Sequence, residues 1–184
     1  MRSVLAVFRV AVVMISIFLP AAANAGQTVA IFPFDMAFQR SEEDFYLGAA
    51  GPSKDEQRRL DIAREALMGF VRADGRYEIA DLTPLTQEIA AAAPIYQCNG
   101  CEVDLAGKVK AELVMTSVID KISETHLSLN IALVDVAKNK LVSNSSVLIQ
   151  GNTDEAWLHG IKWLAKNRLF KDAPKETGKD GSAQ

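Results

Sequence analysis

Two cysteines and two histidines are all that the 184 residues contain, and that scarcity removes most of the chemistry a sequence can announce. A zinc site needs three or four clustered ligands, and no second Cys or His group accompanies Cys98 and Cys101. Haem attachment needs a His directly after the second Cys of a Cys-x-x-Cys, and Glu102 stands there. The chain has no G-x-S-x-G, no phosphate loop, no G-x-G-x-x-G and no H-E-x-x-H, which sets aside the enzyme classes with readable signatures. No cofactor, metal or catalytic residue is therefore expected. There is no long basic run either: 20 Lys and Arg stand against 23 Asp and Glu, a net charge of −3. An acidic surface of this kind argues against nucleic acid and anionic lipid as partners.

What is present begins with a leader. Arg2 opens a short basic region, an apolar run follows from Val10 to Leu19 broken only by Ser16, and Ala23-Asn24-Ala25 supplies the small residues a signal peptidase accepts. The run is too short to span a bilayer, so residues 1–25 read as a cleaved signal peptide and the mature chain as a periplasmic protein without membrane insertion. Without Arg2 and Arg9, about 18 basic residues face 23 acids, giving a mature charge of about −5. Residues 26–170 are one domain's worth, and the polar stretch 171–184 reads as a disordered tail.

Hydrophobic patterning gives the elements. Thr28 to Asp35 is a near-continuous apolar strand, expected to be central or covered on both faces and to end at Pro33 and Asp35. From Met36 to Ser53 runs a long connection in which Glu42, Glu43 and Asp44 adjoin Phe45, Tyr46 and Leu47. Together with Phe38, the residues Glu42, Glu43, Phe45 and Tyr46 are the candidate partner contacts, because loops of this length often carry function. Ser53 and Glu56 form a capping box for a helix whose Leu60, Ala63, Leu67, Phe70 and Val71 recur at helical spacing, and Asp74-Gly75 stops it. A short strand over 76–80 follows, then a helix started by Asp81 or Thr83 and running to Ala93.

Between Glu112 and Gly151 three runs rich in Val, Ile, Leu and Thr predict an antiparallel meander. Leu127, Leu129, Ile131 and Leu133 fall on one face by period two, and Asn139 suits a hairpin turn with positive φ. Asn152 with Glu155 three residues on predicts the cap of a terminal helix, Thr153 being the alternative cap, and Trp157, Leu158, Ile161, Leu164 and Ala165 form its apolar face. The fold class is α/β (α+β): a single mixed sheet of about five strands with a C-terminal meander and helices packed on it.

Cys98 and Cys101, exported together, read first as a disulfide that ties the chain into a short helix ending near Lys110. A redox pair is the rival reading, since a Cys-x-x-Cys at a helix start can have a depressed thiol pKa. Against it, Asn99-Gly100 is not a typical oxidoreductase dipeptide, and Glu102 and Asp104 put negative charge where thiolate would form.

The order strand, helix, strand, helices and a meander closed by a helix resembles the small α/β domain at the amino-terminal end of TolB and in the CsgG family. The likeness is carried by Leu113-Val114-Met115 and by the Leu133-Val134-Asp135-Val136 hairpin. The lipid-attachment Cys of CsgG and the propeller repeats of TolB have no counterpart here. A nearer resemblance is to a family of exported proteobacterial proteins of unknown function, carried by the Cys-x-x-Cys, Asp120-Lys121-Ile122-Ser123 and the segment from Gly151 to Trp157. With the leader and the missing catalytic signatures, the resemblances imply a periplasmic accessory or binding domain that presents a sheet edge, or the loop from Met36 to Ser53, to an envelope protein. The alternatives are a thiol-disulfide protein using Cys98 and Cys101, and a small-ligand-binding companion of a periplasmic quinoprotein oxidation system.

Overall fold

The computed structural model describes residues 26–38 and 51–170. Six strands form one mixed sheet. Strands β1 (Gln27–Ile31) and β2 (Asp35–Phe38) both lie parallel to β4 (Leu113–Lys121), β3 (Tyr77–Ile79) pairs parallel with β1, and β4, β5 (His126–Asp135) and β6 (Lys140–Gln150) make the antiparallel meander. The order across the sheet is β3-β1-β4-β5-β6, with β2 continuing β1 along β4.

The break between β1 and β2 corrects the expectation that the strand ends at Asp35 and the connection begins at Met36. Ile31 pairs with Met115 and Asp35 with Val118, so four steps on one strand match three on the other. Phe32 still donates its N–H to the Met115 carbonyl, but Pro33 has no N–H to continue the ladder. The surplus residue is absorbed there, pairing resumes, and Met36 returns to the core.

Double coverage of β1 follows from its unbroken hydrophobicity. Val29 and Ile31 enter one core cluster, Ala30 and Phe32 the other, and all four are fully buried. On the first face pack α1 (Lys54–Asp74) and, after the meander, α4 (Asp154–Leu164), continued by a π turn over Ala165–Leu169. Leu60, Ala63, Leu67 and Val71 of α1 and Trp157, Ile161 and Leu164 of α4 close over Leu127, Leu129, Ile131 and Leu133 of β5. The period-two row thus points into the core, as the alternation requires.

Among the described residues, the cover on the second face lies over β1 and β4, with Val134 of β5 at its margin. A 3-10 turn (Thr83–Leu85), α2 (Thr86–Ala92), a second 3-10 turn (Ile95–Gln97) and α3 (Cys101–Lys108) lie there. The single helix expected from Asp81 or Thr83 to Ala93 is thus divided. The Asp81 carboxylate accepts from both the N–H and the hydroxyl of Thr83, which winds the first turn tightly before α2 begins.

Local rules explain the ends. Ser53 and Glu56 exchange both bonds of a capping box, and Gly75 closes α1 at φ 74°, a conformation that favours glycine. Asn139 sits at φ 47° in the β5–β6 turn. Gly160 lets α4 settle on β6: a Cβ there would lie 2.7 Å from Ile149 Cγ1. Leu158, expected on the apolar face of α4, is 38% exposed because it lies one residue past Trp157, off the buried stripe.

Candidate functional site

Where β4 ends and α1 and α4 begin, a chain of charged and polar groups runs from the buried Glu56 out to the surface at Arg58 and Asp154. Glu56, only 3% exposed, accepts from the Ser53 N–H at 2.9 Å, from Lys121 Nζ at 2.9 Å and from Asn152 Nδ2 at 2.8 Å. Lys121 also reaches Glu124 at 2.7 Å. Asn152 Oδ1 in turn accepts from Trp157 Nε1 at 3.0 Å and from Arg59 Nη1 at 3.3 Å. Arg58 grips Asp154 with both terminal nitrogens, at 2.7 and 2.8 Å, while Arg59 Nε joins the same carboxylate at 2.9 Å.

The electrostatics follow from these contacts. Burial alone pushes the Glu56 carboxyl up, but the Ser53 amide, Lys121, Asn152 and the Ser53 side chain outweigh it and hold the group at about 2. Asp154 is likewise held at about 2, chiefly by its bonds to Arg58 and Arg59. Carboxylates held so low have no proton to give near neutrality. The arrangement clamps three elements together.

This clamp corrects the cap expected from Asn152 and Glu155. The N-cap of α4 is Thr153, whose hydroxyl accepts from the Ala156 N–H at 3.3 Å. Asn152 is drawn one step aside by Glu56 and Trp157, and Glu155 is an exposed acid in the first turn, favourable toward the helix dipole only.

Phe38, the one candidate partner contact within the described residues, is partly buried against the core and pairs with Lys121 in the β2–β4 ladder. Glu42, Glu43, Phe45 and Tyr46 lie outside the described residues. The two flanks of that stretch nevertheless converge. Phe38 stands opposite Lys121, and Ser53 binds the carboxylate that Lys121 holds.

Cys98 and Cys101 are bonded to each other in a turn that uses Asn99 at φ 54° and Gly100 at φ 111°. Glu102 accepts from the Gly100 N–H at 3.1 Å and lies 3.4 Å from Cys98 Sγ. A carboxylate in that place opposes thiolate formation. Among the described residues, Cys98, Cys101 and Glu102 are the one grouping with metal-ligand composition, and with the sulfurs joined they offer a single carboxylate.

Beside the β3 edge, between α1 and α2, lies a cleft of about 930 Å³, within the range of small-molecule sites. Arg64 lines it but gives its Nε and Nη2 to the Ile31 carbonyl, at 3.3 and 3.0 Å. Asp35 lines it too. Burial raises its carboxyl, while the N–H groups of Tyr96 and Ile95 act the other way. The cleft's lining is mixed, with Arg72, Glu78 and Asp81 beside Met68, Leu82 and Ile89, and its Arg64 and Asp35 are already engaged with backbone.

The match to a family decides the identity of the domain. Residues 27–169 match DUF3280, described as "Protein of unknown function (DUF2380)". The chain belongs to the DUF3280 family. None of the curated proteins matches it. Among solved structures, this DUF3280 chain is similar to the C-terminal domain of LpoB from Salmonella enterica, at 13% identity over 70% of this chain and 86% of that one, with a TM-score of 0.48. It is also similar to the PelC dodecamer from Paraburkholderia phytofirmans (13% identity, 82% and 90% covered, TM-score 0.45) and to TolB from Acinetobacter baumannii (13% identity, 78% and 29% covered, TM-score 0.41).

In this DUF3280 domain the sequence located Glu56 as a capping acid and Asn152 as a polar residue at the start of α4, but not their union. The sequence alone gives no partner to Lys121, Arg58, Arg59 or Asp154. The available signal was local: two adjacent arginines follow the capping box, and a lysine ends an otherwise apolar strand.

Proposed function

We propose that the protein is an exported accessory domain, freed of residues 1–25 and resident in the periplasm, that works by binding an envelope protein and not by catalysis. Its contact surface is the stretch after Phe38, with Glu42, Glu43, Phe45 and Tyr46 as the recognition residues and the acids selecting a partner with a basic patch. The observation that supports this reading is the convergence of Phe38 and Ser53 on the Lys121 and Glu56 ion pair. The two described flanks of the stretch thus meet on a clamp shared by α1, β4 and α4. Aromatic and acidic residues between flanks held close together suit recognition, because fixing the two ends of a stretch lowers the ordering cost of binding. The leader supplies the compartment, and no helix among the described residues is long and apolar enough to cross a membrane.

The test is affinity capture from an envelope fraction with the mature protein and with a variant carrying Glu42→Lys, Glu43→Lys, Phe45→Ala and Tyr46→Ala. The variant is expected to fold, with an unchanged melting temperature, and to lose the proteins that the parent enriches. Equal recovery of those proteins by both would overturn the assignment of the segment.

A further inference from the structure

Strand β6 forms one margin of the sheet: it pairs with β5 on one side and, among the described residues, with no strand on the other. It is eleven residues long, and from Leu141 to Gln150 it carries no charge. Leu141, Val142 and Leu148 are 54, 56 and 55% exposed. Edges of soluble sheets are ordinarily kept short or guarded by lysine or proline, because the free N–H and C=O row templates another strand. Here the guard is confined to Lys140 and a bulge at Val142, both at the first end. The β3 margin, by contrast, is three residues long.

The sequence of the strand says what fits it. Leu141-Val142-Ser143-Asn144-Ser145-Ser146-Val147-Leu148 has nearly the same pattern in both directions, apolar ends around a hydroxyl and amide centre. Antiparallel pairing requires that opposed residues share a face, so a two-fold axis passes through a residue of the strand. Placed at Ser145, the axis sets Asn144 opposite Ser146, Ser143 opposite Val147, and the exposed, bulged Val142 beside the exposed Leu148 of the other copy. Past the bulge at Val142 the alternation is broken, so Leu141 and Lys140 stand outside this ladder, and the residues that do pair bring no two like charges together. We propose that two copies of the chain join through β6, antiparallel about Ser145, into one sheet continuous across both. The interface is isologous, each copy covering the other's exposed apolar ends. The segment carrying Glu42 to Tyr46 plays no part in it, so the dimer and the partner-binding reading stand or fall separately.

The test uses the mature chain in sedimentation equilibrium at low to high micromolar concentration. The parent is expected at twice the chain mass. Asn144→Lys with Ser146→Lys places lysines opposite each other twice on the solvent face and is expected to halve the mass without loss of the circular dichroism signal. The matching Asn144→Glu with Ser146→Glu variant, mixed with it, restores the doubled mass. Ser145→Cys, on the axis, is expected to cross-link two chains under mild oxidation, whereas Lys140→Cys, beyond the bulge at the strand's far end, is not. A parent that sediments as a single chain, which is also the result expected if a strand of a different protein occupies this edge, overturns the proposal. So does a folded double-lysine variant that keeps the doubled mass.

Discussion

At the residue scale, Glu56 concentrates the consequences. A carboxylate taken out of water is tolerated only with partners, and here an amide N–H, an ammonium and a side-chain amide supply them. Its pKa of about 2 in the folded chain lies below the ordinary value of 4.5. Between those values the unfolded chain binds more protons than the folded one, so the stabilisation is complete above about pH 4.5 and is lost as pH falls toward 2. The difference corresponds to at most about 3 kcal/mol. Urea unfolding between pH 6 and 2.5 is therefore expected to show the midpoint falling with acid, and Glu56→Gln to flatten that fall while starting lower at pH 6. A variant whose midpoint falls as steeply as the parent's would show that other groups carry the dependence; Asp154, also held at about 2, acts in the same direction.

Elements were legible in the sequence wherever one local rule acted alone. The capping box at Ser53 and Glu56, the stop at Gly75, the Leu127 to Leu133 row and the turn at Asn139 each depend on neighbours in the chain, and each lies where spacing puts it. Misreadings occurred where a distant partner competed. Asn152 has the right chemistry for a cap, but Glu56 and the Trp157 N–H, both brought in by tertiary packing, take its two ends and leave the cap to Thr153. The Pro33 break escaped for a related reason, since a one-residue excess is visible only against the strand it pairs with. The two roles at the head of α4 predict different costs. Thr153→Ala removes one capping bond and is expected to cost about 1 kcal/mol. Asn152→Ala leaves a buried indole N–H and part of the Glu56 carboxylate unpaired, and is expected to cost roughly 2 to 3 kcal/mol. Chemical denaturation of the two variants side by side measures the order, and equal losses would mean that Asn152 contributes no more than a cap.

Across the whole molecule, the two faces of the sheet are unequal. One carries the long helices α1 and α4 and the larger apolar cluster, the other the short pieces from Thr83 to Lys108 with the Cys98–Cys101 bridge among them. Short helices contribute little stability of their own, so that layer depends on Leu85, Ile89, Ile95, Val103 and Leu105 docking on Ala30, Phe32 and Val114. The bridge closes a loop with a sequence separation of only 3, for which loop entropy amounts to about 2 kcal/mol. Cys98 and Cys101 both pack against this cluster, so the constraint acts within the weaker layer. Replacing both cysteines by serine is therefore expected to speed amide hydrogen exchange between Ile95 and Val109 while leaving exchange in β5 and α4 close to that of the parent. Uniform acceleration throughout the chain would mean that the two layers unfold as one unit and that the bridge stabilises the whole. If the pair were instead a working redox centre, reduction of the native protein would proceed readily at the potential of a glutathione buffer. The carboxylate of Glu102 beside Cys98 leads to the opposite expectation, a bridge that stays closed in that buffer.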